Sequence, residues 1–545
     1  MRGPRSPRGT MGRADFAIVN ARVYTGDPGM PWAEGLSSSD GRIVAVGRMK
    51  DVEASVGPGA AVLDAGGRLV LPGFIDAHVH LVWGFELGSW IDLEGRPSLE
   101  EVRRRVAACA RDHPEEEILL GHGFDYDALD AGRLPTKEDL DDVVSDRPAI
   151  LTAYDGHTGW GNSRFVARAL ETMSEAGREI GEMQRDPGTG EPTGLFLRTF
   201  DLTPLLPEIR RRQSVDGLRR TVAAASAFGI TTAFDVQVNE DDLHAYEELR
   251  AAGGLVVRMR IALYHPAGTT RDAYPRFQAL SRRARDEWID VGAIKLYIDG
   301  VPETRSGALL KAYEGDPSSR GPTVYEPAEF EDIVRDLDAR GFQICTHATG
   351  DRGVRIALEA YASAARTNGT SDRRHRIEHC ENVDPEDVSR FARLGVVPCM
   401  MPRHASPDLT SRWREALGPE RTARGFPWRS LLATGAALAF ASDWPVASLN
   451  PLVEIQDAVV RRNADGGLSS GRLTLEEAIH AYTRGAAYAC FAESTRGTLE
   501  KGKFADLVVL SKDLFQLPGE DIGTAKVLRT VVGGRIVHTD GAPLG

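Results

Sequence analysis

No apolar run in this chain reaches the ~18 residues that a membrane-spanning helix needs, so no membrane association is expected. An excess of basic charge is also missing. Lys and Arg number 66 against 79 Asp and Glu, a net charge of −13. A surface built for phosphates shows the opposite balance, which argues against a nucleic-acid partner. Cysteine is scarce. The five residues Cys109, Cys345, Cys380, Cys399 and Cys490 are odd in number and widely spaced, with no CxxC pair. That excludes a disulfide framework and points to a reduced, cytoplasmic protein. A basic N-terminal cluster, Arg2, Arg5, Arg8 and Arg13, has no apolar stretch behind it and is not a secretory signal. Residues 1–13 read as a disordered leader, with Met11 an alternative start. No short-period repeat is found.

What is present is a long chain of alternating textures. With 545 residues, 42% of them apolar, it has room for two or three domains, or for one (β/α)8 barrel of ~250 residues with additions. Residues 14–70 hold short alternating runs (FAIVNARVYT, RIVAVG, AVLDAGGRLV) that suit a small antiparallel sheet, and the texture returns within 497–545. These two stretches are expected to form one composite β-sandwich domain. Residues 71–80 and 215–496 alternate apolar strands with amphipathic helical stretches, the rhythm of a parallel sheet covered on both sides. Eight candidate strands, LVLPGFIDAHVH, TTAFDVQ, VVRMRIALY, GAIKLYID, FQICTHA, HRIEH, VVPCMMP and ALAFASD, favour an α/β TIM barrel over a doubly wound sheet. In PEDVSRFARLG, Asp384 caps, Pro385 opens the first turn and Gly395 follows the last. Residues 81–214 are too long for a loop and read as an insertion after the first strand, overhanging the face where barrel enzymes keep their active sites.

The sharpest chemical signal is His78-Val79-His80, ending an apolar strand. Residues two apart on a strand point to the same side, so both imidazoles can reach one ion. A bare HxH is more often structural than not. Lys295, His347, His379 and Asp443, however, each lie at or near the end of a later strand, and the C-terminal face of a barrel gathers such residues into one pocket. Singly, Lys295 reads equally as a snorkelling surface lysine, His379 as a core histidine and Asp443 as a helix cap. Their joint order along the strands is what favours a site.

This set resembles the amidohydrolase superfamily, and the wider wording is similar to its branch of N-substituted formamide deformylases, amidohydrolase family 3. The likeness runs through PGFIDAHVHL, LPTKEDLDDVVSDRPAILTAYDGHTGWGNS, DPGTGEPTGL, THATGDRG, HRIEHCENV, MMPRH, LLATGAALAFASDWPV and GTLEKGKFADLVVL, nearly the whole chain. It departs at DGVPETRSGALL, where relatives carry a Gly- and Ser-rich stretch.

The resemblance implies one or two Zn²⁺ or similar divalent ions. His78 and His80 would hold the more buried ion and His347 and His379 a second, with Lys295 bridging as an Nζ-carboxylate. Asp443 would touch metal and shuttle the proton during hydrolysis of a C–N bond in a small molecule. His157 and Trp160, near Asp155 and Asn162 in the insertion, are candidate substrate contacts, with a turn and capped helix as the structural alternative. Arg352, Arg403 and His404 are further candidates for a polar substrate group, with salt bridging the plainer fate of Arg352. Cys345 and Cys380 read as core packing. A homodimer is compatible with these features. The alternatives are a deaminase or cyclic-amide hydrolase of the same superfamily, or a metal-containing protein without activity.

Overall fold

The computed structural model describes residues 13–88, 91–93, 98–114, 116–125, 134–153, 158–176, 182–197, 215–407, 410–463 and 467–541. At its centre eight strands run parallel in chain order: Phe74–Val79, Ile230–Val238, Arg258–Tyr264, Ile289–Tyr297, Gln343–Ala348, Arg376–His379, Val397–Met400 and Ala439–Phe440. They coincide with the eight apolar runs of the sequence, and the fold is the expected α/β barrel. Helices such as Glu240–Ala251, Tyr274–Arg283, Pro327–Ala339 and Asp351–Asn368 lie between successive strands. The helix Pro385–Leu394 has the anticipated ends: the Asp384 side chain accepts from Glu386 N, and Gly395 takes the left-handed conformation at φ 64°.

Strand alternation builds two cores. In the fourth and fifth strands Ile294, Leu296 and Ile344 join a large cluster with the surrounding helices, whereas Ala293 and Cys345 join a second cluster of mostly small residues. Lys295 and His347 share the parity of that second set, which carries them to the top of the barrel interior.

Closure of the barrel is local and matters for function. Beyond the eighth strand, Asp443 N donates to His78 O and His80 N donates to Trp444 O, both at 2.9 Å. Below them Asp76 accepts from Ser442 N at 3.0 Å and from Ser442 Oγ at 2.5 Å. The first and last strand ends are thereby stitched together by the residues that carry the candidate chemistry.

Both ends of the chain contribute to sheets outside the barrel. One joins Arg42–Gly47, Gly35–Ser39, Ala14–Val19 and Val56–Asp64; the other joins Arg535–Thr539, Val527–Val532, Leu507–Leu510, Leu69–Pro72, Arg22–Tyr24 and Trp32–Ala33. Phe16, Ile18, Leu36, Val70, Leu507 and Val531 pack between them. The sheets are mixed, which corrects the expected all-antiparallel arrangement: Ala14–Val19 pairs in parallel with Val56–Asp64, and Arg22–Tyr24 with Leu69–Pro72. Between the first two barrel strands a further six-stranded sheet, Glu182–Arg185, Pro192–Leu197, Thr158–Gly161, Ala149–Ala153, Leu119–Phe124 and Ile91–Asp92, has apolar clusters of its own. It touches the last barrel loop, where His122 Nε2 lies 3.2 Å from Pro445 O.

Candidate metal centre

The ends of the first, fourth, fifth, sixth and eighth strands converge. His78 and His80 rings stand 5.2 Å apart at 80°, His78 and His379 5.2 Å apart, and His347 and His379 4.4 Å apart. Lys295 Nζ lies 3.5 Å from His78 Nε2. Asp443 Oδ1 lies 3.1 Å from His78 Nε2 and 3.2 Å from His80 Nε2. All six predicted residues are buried and meet in one place. His379 and Asp443 hold left-handed backbones, φ 73° and 57°, conformations that cost about 1–3 kcal/mol each in residues other than glycine and tend to persist at functional sites.

The electrostatics follow from burial. His78 Nδ1 lies 2.6 Å from Glu378 Oε2, and Arg376 donates Nε to Oε1 at 2.9 Å and Nη2 to Oε2 at 2.7 Å of the same carboxylate. Burial pushes the Glu378 carboxyl up, but Arg376 and His78 outweigh it and hold it well below the usual range. A carboxylate fixed this way accepts a hydrogen bond from His78 Nδ1–H and leaves Nε2 facing the centre, the usual second contact of a metal-binding histidine. Burial lowers the pKa of the Lys295 ammonium, against the pull of Glu378 and Asp443. It also lowers His80 to about 4, leaving a neutral imidazole available as a donor. Asp443 stays well below the ordinary carboxylate range because His78 and the other histidines outweigh its burial.

The donors suit a divalent ion. Nε2 of His78, Nε2 of His80 and a carboxylate oxygen of Asp443 stand together, fully enclosed. Ligands bonded to a tetrahedral zinc at about 2.0–2.2 Å are separated by about 3.4 Å, close to the spacings here. His347 Nε2 lies 3.2 Å from Gly300 O, so a bond from His347 to an ion would run through Nδ1.

The outlying candidates separate. His404, in the turn Pro402–Ala405 after the seventh strand, stacks on His379 at 5.9 Å and 6°, with Nδ1 3.3 Å from Glu381 Oε1. Arg403 hydrogen-bonds Ser406 Oγ and Asp457, while its backbone N–H donates to Glu454. Arg352 donates Nη2 to Gly321 O at 3.0 Å, tying the first turn of the helix Asp351–Asn368 to the segment that follows the fourth strand. Trp160 is placed in the core of the insertion rather than beside the histidines. It is fully buried, edge-on to Phe124, and donates its indole N–H to Thr136 O at 2.8 Å. Asn162 caps its helix, accepting from Phe165 N. Asp155 and His157 lie outside the described residues. Cys380 joins the large cluster and Cys345 the small one.

Four acidic groups escaped the sequence reading: Glu378, Glu381, Asp76 and Asp299. Asp299 accepts from Ala308 N, Gly350 N and Thr349 N at 2.8, 2.9 and 3.1 Å, joining the loops after the fourth and fifth strands. Burial raises its carboxyl to about 7 despite these bonds. The Asp-Gly after the fourth strand was a visible turn signal; the role of Glu378 had none beyond its place in HRIEH.

Comparison with known proteins bears on the family and the fold. Residues 61–538 match the model of the amidohydrolase family. Protein LONG AFTER FAR-RED 3 of Arabidopsis thaliana is 31% identical over 539 residues, covering 96% of this chain and 92% of its own. The N-substituted formamide deformylase of Arthrobacter pascens is 28% identical over 551 residues, covering 95% and 97%. An uncharacterized metal-dependent hydrolase from Pyrococcus horikoshii OT3 superposes with a TM-score of 0.73 at 24% identity, over 92% of this chain and 99% of that one.

Proposed function

The chain belongs to the amidohydrolase family, and from that premise we propose that it hydrolyses the C–N bond of a small formamide or N-acyl amine, with Zn²⁺ as its ion and Asp443 as the proton carrier. At the coarser level it is a metal-dependent hydrolase acting on carbon–nitrogen bonds. The observation that carries the finer reading is the Asp443 carboxylate, shared among the histidines at the mouth of the barrel.

His78 and His80 would hold the ion, His347 and His379 would complete the set, and Glu378 keeps His78 in the required tautomer. A divalent ion in this position lowers the pKa of water towards ~7 and polarises a carbonyl oxygen. Every other part belongs to the chain. Burial lowers the Lys295 pKa and so raises the share of neutral amine, the form that adds to CO₂ with loss of one N–H proton to give an Nζ-carboxylate with two donor oxygens. Asp443 accepts a proton from the attacking water and returns it to the amide nitrogen, which leaves poorly unless protonated. The insertion, joined to the loop of Asp443 through His122 and Pro445, would cover the active face, with His157 as a substrate contact. Arg352, in the first turn of the helix Asp351–Asn368, and Arg403, in the turn Pro402–Ala405, are candidate contacts for a polar substituent.

Metal analysis joined to a hydrolysis screen of N-formyl and N-acyl amines tests this reading. Bound metal with turnover of at least one formamide or acyl amine is the expected result. Bound metal with release of ammonia from aminated heterocycles alone would contradict the substrate class.

A further inference from the structure

A cavity of about 740 Å³ opens at the far end of the eighth barrel strand, a volume within the range of small-molecule sites. Leu432, Ala436 and Leu438, ahead of the strand Ala439–Phe440, form an apolar wall. Arg484, on the turn Ala481–Gly485, and Asp27, between the strands Arg22–Tyr24 and Trp32–Ala33, stand on other walls. Leu438 precedes the eighth strand and Asp443 follows it, so cavity and metal centre lie at opposite ends of one element.

The turn Ala481–Gly485 is π-helical, a form that occurs mostly as single turns and frequently at functional sites. A methyl group at Gly485 would meet Leu438 O at 2.1 Å. The turn therefore rests directly on the entrance to the eighth strand, which fixes the place of Arg484 beside the cavity.

Most charges on these walls are already matched. Glu477 accepts from Arg429 Nη1 and Nη2, both at 2.6 Å. Glu493 accepts from Arg374 at 2.7 and 2.9 Å, and Lys503 Nζ lies 2.6 Å from Glu500 Oε2. Arg484 has no side-chain hydrogen bond or salt bridge among the described residues. Its charge nevertheless reaches the cavity. Lys503 and Thr498 hold the Glu500 carboxyl below its usual range and Arg484 adds to them, while burial lowers His480 and Arg484 adds to that as well. Asp27 Oδ1 accepts from Gly29 N at 2.8 Å, and no cation pairs with this carboxylate among the described residues. One guanidinium and one carboxylate are left over, with an apolar wall in the same cavity. A planar guanidinium fork suits a carboxylate, and the aspartate suits an ammonium group.

We propose that this cavity binds a small zwitterion, an amino acid with an apolar body, with its carboxylate on Arg484, its ammonium on Asp27 and its hydrocarbon part against Leu432, Ala436 and Leu438.

The test is calorimetric titration of the full chain with leucine, methionine and phenylalanine. Isocaproate and isoamylamine, which each keep one of the two charges of leucine, serve as comparisons. At least one amino acid should bind to wild type, and the single-charge compounds should bind ~10-fold or more weakly, as should the amino acid to Arg484→Gln and to Asp27→Asn. His78→Ala should bind it as wild type does, because the ligand does not touch the metal. No binding of any of the three amino acids up to ~10 mM overturns the proposal. Unchanged binding in Arg484→Gln and Asp27→Asn also overturns it, and loss in His78→Ala alone would put the ligand on the metal instead.

Discussion

At the scale of single residues the site works because burial and pairing are set against each other. Asp443 remains a carboxylate in a closed pocket because histidines surround it. Asp443→Asn keeps the shape but cannot accept a proton, and kcat should fall at least ~100-fold while most of the metal is retained. Steady-state kinetics with metal content measured on the same sample checks this. Glu378→Gln removes the charge that orients His78 and should weaken metal binding ~10–100-fold in competition with a chelator. The convergence of His78, His80, Lys295, His347, His379 and Asp443 was legible because each lies at or near the end of an apolar strand. Glu378 and Glu381 were not, although they flank His379 in HRIEHCEN. Left-handed backbones at His379 and Cys380, φ 73° and 48°, break the alternation that would have predicted their directions. The burial of Trp160 against Phe124 had no signal in the sequence, where it stood out only through the resemblance of the segment around His157.

At the scale of elements the eighth-strand loop is the part on which precision depends. A methyl group at Gly84, in the helix Leu81–Gly88, would come within 2.0 Å of the Trp444 ring. Helix and loop are packed with no room between them, and Trp444 follows Asp443 directly. Gly84→Ala should therefore destabilise the fold by about 1–3 kcal/mol through overpacking and lower kcat with little change in metal content. Denaturant titration and kinetics on one preparation read both effects. The barrel strands were visible as elements because strands covered on both faces are continuous apolar runs. The pairing of the outer sheets was not visible, since Ala14–Val19 has the same local texture whether its partner Val56–Asp64 runs parallel or antiparallel.

At the scale of the whole molecule the C-terminal strands are anchored to the barrel through a buried ion pair. Arg258, on the third barrel strand, donates Nε to Asp506 Oδ2 at 3.0 Å, and Gly533 N donates to Asp506 Oδ1 at 2.7 Å. Both charged side chains are only 3% exposed, and the guanidinium lies 3.8 Å from the Phe504 ring centroid. Removing one partner strands the other in a dry environment, so Asp506→Ala should cost about 3–5 kcal/mol of stability, read from denaturant unfolding. The central claim concerns the ion and the bond it helps to break. Its most direct test is to titrate metal-free protein with Zn²⁺ while following hydrolysis of an N-formyl amine, with His78→Ala in parallel. The account predicts no turnover without metal, activity that rises with bound equivalents and then saturates, and no recovery in the variant. Full activity in a sample verified to be free of metal would contradict it.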